Sequence, residues 1–287
     1  MPHDPFVLIF RVDDGELEVL EMDTFENRSE NAIRIMREVV SLVPEKFEGR
    51  TGYVNFFDYP PAFPAGDYDL QFCSTRWQEG PSRFLPFPSS NSPGWPHVGI
   101  PDGYALTEDL LSWQSLPCDG RILWIGANTH PSRVRLAELA ARHPQAIDAE
   151  LMEWNRNTGN VRMPSKTRYV SMWDHRHAKY LIDCPGTGYS GRLRWLLATG
   201  RPVFIVDRAA IEHWHARMIP WVHFIPIRPD LSDLMWAYKR LESDPALYGM
   251  ISENARQFVR NHLLHGREVA HIASQMPEPT QCALPRS

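Results

Sequence analysis

Between Lys179 and Val206 the chain reads Lys-Tyr-Leu-Ile-Asp-Cys-Pro-Gly-Thr-Gly-Tyr-Ser-Gly-Arg-Leu-Arg, then Trp-Leu-Leu-Ala-Thr-Gly-Arg-Pro-Val-Phe-Ile-Val. Gly186, Gly188 and Gly191 permit a tight turn, with positive φ where it is needed. Ser190 is placed to cap a helix that begins there, and Arg192 and Arg194 add cations at the same spot. A helix N-terminus behind a glycine turn presents free N–H groups and the positive end of its dipole, which suits an anion. The chemistry these residues suggest is phosphate or diphosphate binding.

The elements around the turn follow from apolar spacing. Tyr180 to Ile182 is a short buried strand, and Leu193, Leu196 and Leu197 give the next segment a helical face. Two other readings compete. Gly186-Thr-Gly188-Tyr-Ser-Gly191 is a literal G-x-G-x-x-G, and Asp207 lies about twenty residues on, where an NAD-binding fold puts its ribose acid. Its late position in the chain, Pro185 before the turn and Arg192 after it count against an NAD-dependent oxidoreductase. The turn could also serve only to pack strand against helix.

The 287 residues, 43% hydrophobic and 23% charged, describe a globular chain of one large or two ordinary domains. The formal charge is −5 and no long basic run occurs, which argues against a nucleic-acid binder. Lys46, Lys166, Lys179 and Lys239 are the only lysines, so arginine, with its planar fork for phosphate, supplies most of the positive charge. Cys73, Cys118, Cys184 and Cys282 are scattered without a C-x-x-C and suggest reduced thiols. No apolar window reaches a membrane span, and Phe6–Phe10 is cut off by Arg11, Asp13 and Asp14 as a strand would be. A cytoplasmic protein is expected, with peripheral contact at the inner face of a membrane allowed.

Along the first half, a hairpin about Asp13-Asp-Gly15 leads to a helix after Ser29, with Ile33, Met36, Val40 and Val43 on one face and Pro44 at its end. Strands follow at Tyr53–Phe57 and Asp69–Phe72. Residues 74–118, with Phe84, Phe87, Trp95, Tyr104 and Trp113 scattered through them, read as an irregular loop layer over a site and not as core. In the second half, strands at Arg121–Ile125, Lys179–Cys184, Pro202–Val206 and Val222–Ile227 alternate with helices. These are a helix capped by Ser132, one starting at Asp230 or Ser232, and one capped by Asp244-Pro245. That alternation predicts a parallel, doubly wound α/β sheet with its ligand beyond the strands' carboxyl ends.

The segment from Arg121 to Leu263 resembles glycosyltransferase family 90. The resemblance is carried by Trp124-Ile-Gly126, Ser132, Arg133 and Ile147-Asp-Ala149. A central block follows, Lys179-Tyr-Leu-Ile-Asp183 with Gly186, Ser190, Arg192, Leu196 and Gly200. Glu212, Pro220-Trp-Val-His-Phe-Ile-Pro226 and Asp230-Leu-Ser-Asp233 continue it, and Ala255, Phe258 and Asn261-His262 close it. A thinner match lies at Val54-Asn-Phe-Phe-Asp58-Tyr-Pro60.

The resemblance implies a GT-B glycosyltransferase, two Rossmann-like domains facing across a cleft. The expected division is 1–118 on the acceptor side, 119–265 for the nucleotide-sugar, and a tail, 266–287, docking back on the first domain. It also implies inverting transfer from a UDP-sugar without an obligatory metal. Asp58 matches the family's catalytic base and Arg192 its diphosphate contact. Where the family usually has an arginine this chain has Ile125, so that contact is either missing or supplied by Arg133. The donor-binding set is completed by Ser190, Gly188, Gly191, Glu212 and His223.

Such an enzyme needs a base for the acceptor hydroxyl and positive groups for the departing diphosphate, and Asp58 and Arg192 fit those tasks. Outside that reading, Asp58 is a turn residue before Tyr-Pro and Glu212 a solvated helix carboxylate. The D-x-D at Asp67 and Asp69 reads better as a turn than as a metal site, and the paired histidines 175/177 and 213/215 are spaced wrongly to share a metal on a helix. The implied partners are a UDP-sugar, carrying glucose, xylose or a similar sugar that the sequence does not specify, and a glycan acceptor such as a cell-surface polysaccharide or lipopolysaccharide. The alternative prompted by Ile125 is a non-catalytic nucleotide-sugar-binding relative.

Overall fold

The computed structural model describes residues 7–22, 27–57, 60–61, 66–79, 84–114, 116–152, 154–155, 163–164 and 168–279. Strands β1 (Val7–Asp13) and β2 (Glu16–Met22) form the expected antiparallel hairpin. Asp14 and Gly15 close it with φ of 53° and 74°, the left-handed pair that suits a two-residue turn in a right-twisted hairpin. The Glu48 carboxylate accepts both turn N–H groups, at 2.9 and 3.1 Å. Helix α1 (Arg28–Leu42) follows, stopped before Pro44. It buries Ala32, Ile35, Met36, Val39 and Val40, so the stripe is rotated from the expected one: Ile33 flanks it and Val43 lies past the helix end. Strands β3 (Thr51–Asn55), β4 (Leu70–Cys73), β5 (Thr75–Trp77) and β6 (Leu85–Pro86) come next.

Beyond them lie α2 (Gly103–Ser112), β7 (Asp119–Ala127), α3 (Pro131–Arg142) and β8 (Ile147–Met152). Two short strands, β9 (Trp154–Asn155) and β10 (Met163–Pro164), pair with each other. The chain continues through β11 (Ala178–Asp183), α4 (Leu193–Ala198), β12 (Val203–Val206), β13 (Ala210–Glu212) and β14 (Ile225–Ile227). It closes with α5 (Leu234–Glu242), α6 (Pro245–His262) and α7 (His265–Ser274).

These elements make two units, both mixed α/β. The first takes the described residues of Met1–Gly94, Ala210–His213 and His265–Ser287; the second takes those of Trp95–Ala209 and Trp214–Leu264. In the first, the sheet order is β2-β1-β3-β4-β6, with β3, β4 and β6 parallel and β1 antiparallel to β3. Phe10, Phe47, Phe72 and Phe87 fill its core, joined by Val269, Ile272 and Ala273 of α7. Gly52 admits the Phe10 ring, since a Cβ there would sit 2.1 Å from it. The β13 strand pairs with β5.

The second unit holds five parallel strands in the order β14-β12-β11-β7-β8. Numbered from β7, that is the doubly wound order 2-1-3-4-5, whose direction reverses between β7 and β11. Both faces are covered. Leu123, Ile125, Leu181, Val203 and Ile205 point to one core, and Ile122, Trp124, Tyr180, Ile182 and Phe204 to the other. This two-sided burial explains why the strands read as continuous apolar runs.

Several local expectations need correction. Residues 74–118 contain α2, capped by Asp102, whose carboxylate accepts from Tyr104 and Ala105 N–H. The α3 cap is His130 and not Ser132: the His130 Nδ1 accepts the Ser132 N–H, and Pro131 takes the first helical position, where its missing donor costs nothing. The expected strand from Val222 begins only at Ile225, because Ile219–His223 is a turn with Trp221 at φ 62°. Among the described residues no helix is long and apolar enough to cross a membrane.

Candidate active site

At the carboxyl ends of β7 and β11, the switch point of the second unit, three arginines gather around one carboxylate. That carboxylate, Asp183, is the last residue of β11 and fully buried. Arg208, just past β12, donates from Nη1 to its Oδ2 at 2.6 Å and from Nη2 to its main-chain oxygen at 2.9 Å. Ser190 Oγ donates to Oδ1 at 2.6 Å, and Arg192 Nε to the same oxygen at 3.4 Å. Burial pulls the Asp183 carboxyl upward, but Arg208, Arg192 and Ser190 outweigh it and hold it below the usual carboxylate value.

Arg192 spans the site. Its Nη1 donates to the carbonyl of Ile125 on β7 at 2.7 Å, and its guanidinium lies 5.4 Å above the Trp124 ring. Nη2 is buried and has no acceptor among the described residues. Arg133, from the first turn of α3, sits over the same indole at 5.5 Å. It donates to three carbonyls, Pro185 at 2.8 Å, Ala127 at 2.9 Å and Cys184 at 3.3 Å, and so ties the loop after β7 to the loop after β11. Burial, reinforced by the Arg192 charge, pushes Arg133 down to about 10. Gly126 makes room for Trp124, whose ring would otherwise lie 2.9 Å from a Cβ. At Gly186 a Cβ would stand 3.3 Å from Arg133 Nη2.

The glycine turn differs from the sequence expectation. Helix α4 starts only at Leu193, runs six residues and has no side-chain cap. Ser190 does not cap it, because its hydroxyl is committed to Asp183. Among the described residues, the glycines with positive φ lie elsewhere, and at Gly186 the missing side chain serves the close approach of Arg133. A short helix that opens after Arg192 is also not the glycine-to-long-helix junction on which the dinucleotide reading depends. The positive character of the site therefore rests on guanidinium groups more than on a helix dipole.

The remaining sequence candidates fall elsewhere. Asp58 lies outside the described residues. Glu212 belongs to the first unit, buried on β13 opposite Thr75, so it is not a solvated helix carboxylate. His223 Nδ1 accepts the Ile219 N–H at 2.8 Å and closes the turn before β14, with its ring 5.2 Å from Phe258. Of the D-x-D pair, Asp69 accepts the Thr51 N–H and hydroxyl at 2.8 and 3.0 Å, which fixes it as a strand-tying residue. The sequence reading did not select Asp183 and Arg208 as site residues. Asp183 at the end of a buried strand was a legible signal; the Arg208 contact, twenty-five residues on, was not.

The family model for glycosyl transferase family 90 matches residues 70–273. The chain belongs to glycosyl transferase family 90. Among its family-90 relatives, human protein O-glucosyltransferase 1 is 26% identical over 261 residues, covering 83% of this chain and 63% of the relative. Zebrafish (Danio rerio) protein O-glucosyltransferase 2 is 32% identical over 143 residues, 49% of this chain and 28% of the relative. Human protein O-glucosyltransferase 3 is 25% identical over 170 residues, covering 56% and 34%. The chain thus spans less than two thirds of the length of these family members.

Proposed function

We propose that this chain is a glycosyltransferase that moves a sugar from a UDP-sugar to a hydroxyl of a glycan acceptor with inversion, its two units being the halves of a GT-B enzyme. The observation that carries the reading is the arginine cluster at the β7–β11 switch point in a family-90 chain. Arg192 and Arg208 pair with the carboxylate of Asp183 and Arg133 adds a third guanidinium beside them, more positive charge than that one carboxylate offsets. Such a site suits a diphosphate leaving group, whose developing charge fixed cations stabilise without a metal ion. Asp58 is the base of this proposal, and Ser190, Gly188 and Gly191 line the donor side with Arg192.

The relatives' names favour glucose as the transferred sugar, with xylose as the other candidate. A cell-surface polysaccharide or lipopolysaccharide is the proposed acceptor, and the cytoplasm, or the inner face of its membrane, the proposed place of action. The test is a thermal-shift panel of UDP, UDP-glucose, UDP-xylose, GDP, NAD and NADP with and without EDTA. A ligand at 100 times its Kd stabilises the native state by about 2.7 kcal/mol. UDP compounds should raise the melting temperature with or without EDTA, and NAD should not. A shift with NAD and none with UDP refutes the proposal.

A further inference from the structure

We infer that Asp183 is a positioning residue for the diphosphate, acting through Arg192 and Ser190, with Arg208 as the counter-ion that fixes it. The inference rests on the reading of this site as a donor-diphosphate site. An acid in an anion site is electrostatically unfavourable, so its presence needs a reason. The hydrogen bonds supply one. Both carboxylate oxygens are taken: Oδ2 by Arg208, Oδ1 by Ser190 and Arg192. Arg208 is itself immobile, with Nε on the Val206 carbonyl at 3.0 Å and Nη2 on the Asp183 carbonyl. Asp183 is therefore held in place, and it orients Ser190 and Arg192 at the end of the glycine turn.

For Arg192 the consequence is specific. Nε goes to Asp183 and Nη1 to Ile125, while the Trp124 face holds the plane of the fork. Two edges of the guanidinium are used by protein, and Nη2 has no acceptor among the described residues. Preorganising a donor in this way avoids the ordering cost when the ligand arrives. Net charge and geometry then make opposite predictions. If charge alone mattered, removing Asp183 would strengthen anion binding; if orientation matters, it weakens it.

The decisive variant removes the pair together, Asp183→Asn with Arg208→Met. It leaves the net charge beside Arg192 unchanged and removes Arg208 together with the carboxylate that it holds, so neither member of that pair is left buried alone. UDP binding is measured by calorimetry on the full chain, alongside circular dichroism and melting. The expected result is UDP affinity at least about 10-fold weaker in a folded protein, the size of one lost charge-assisted hydrogen bond. Affinity within two-fold of wild type overturns the inference while leaving the donor reading intact. No UDP binding by the wild-type chain overturns both.

Should the double variant fail to fold, Asp183→Glu keeps the charge and displaces the carboxylate by one methylene. The same loss of affinity is expected, and unchanged affinity overturns the inference. Arg208→Lys, which keeps a cation on Oδ2, should restore binding to within a few-fold. A loss as large as that of the double variant would overturn the counter-ion role.

Discussion

Replacing Arg192 by alanine tests the site at its centre. The guanidinium is mostly buried, with 14% of the side chain exposed, so an interaction it makes with an anion is poorly screened. A charge-assisted hydrogen bond is worth about 1.5–3 kcal/mol, which converts to roughly a 10- to 150-fold loss of UDP affinity. The fold should survive, because Asp183 keeps Arg208 and Ser190, while the Ile125 carbonyl loses a donor. Arg192→Lys should recover little: one ammonium cannot meet Ile125, Asp183 and a phosphate oxygen at once. The assay is calorimetric titration with UDP, paired with a melting curve to exclude unfolding. A folded Arg192→Ala protein that binds UDP as wild type does would refute the assignment of this cluster to the diphosphate.

Asp58→Asn should bind UDP normally, keep its melting temperature and transfer sugar at least about 100-fold more slowly, the lower end of a general base's contribution. Early melting with near-normal turnover would instead make Asp58 a turn residue. Gly200 has φ 69°, and a Cβ there would meet Arg256 Cδ at 2.6 Å, so Gly200→Ala should cost at least about 1 kcal/mol of stability, read by chemical denaturation. His175 is held neutral in the fold by burial and then by the Arg192 charge, down to about 4 from 6.5. The unfolded chain binds the extra proton first, so this stability is present above pH 6.5 and drains away as pH falls toward 4. The slope is roughly 1.4 kcal/mol per pH unit, and His175→Gln should remove that share of it. An unchanged slope in the variant would show that His175 is not the group responsible.

The sequence was informative wherever a local rule sufficed. The hairpin at Asp14-Gly15 and the helix behind Asp244-Pro245 follow from turn and cap chemistry within a few residues. The parallel strands β7, β11 and β12 were legible because two-sided burial demands unbroken apolar runs. Failures came where a tertiary contact overrode the local signal. Ser190 was in cap position, but a buried carboxylate seven residues earlier claimed its hydroxyl. His223 sat in an apolar run, yet a turn through Trp221 delayed the strand to Ile225.

The sequence by itself determined the family, the α/β character and the presence of cations after a glycine turn. What only the tertiary structure decided is how those cations are held. Arg133 is bound to carbonyls from two different loops, and Arg208 reaches a strand end twenty-five residues away. The physical reason is that a guanidinium carries five donors on a long stem, so its partners are set by which strand ends the sheet order brings together. Spacing along the chain does not encode that order; packing of the β7 and β11 strands side by side does.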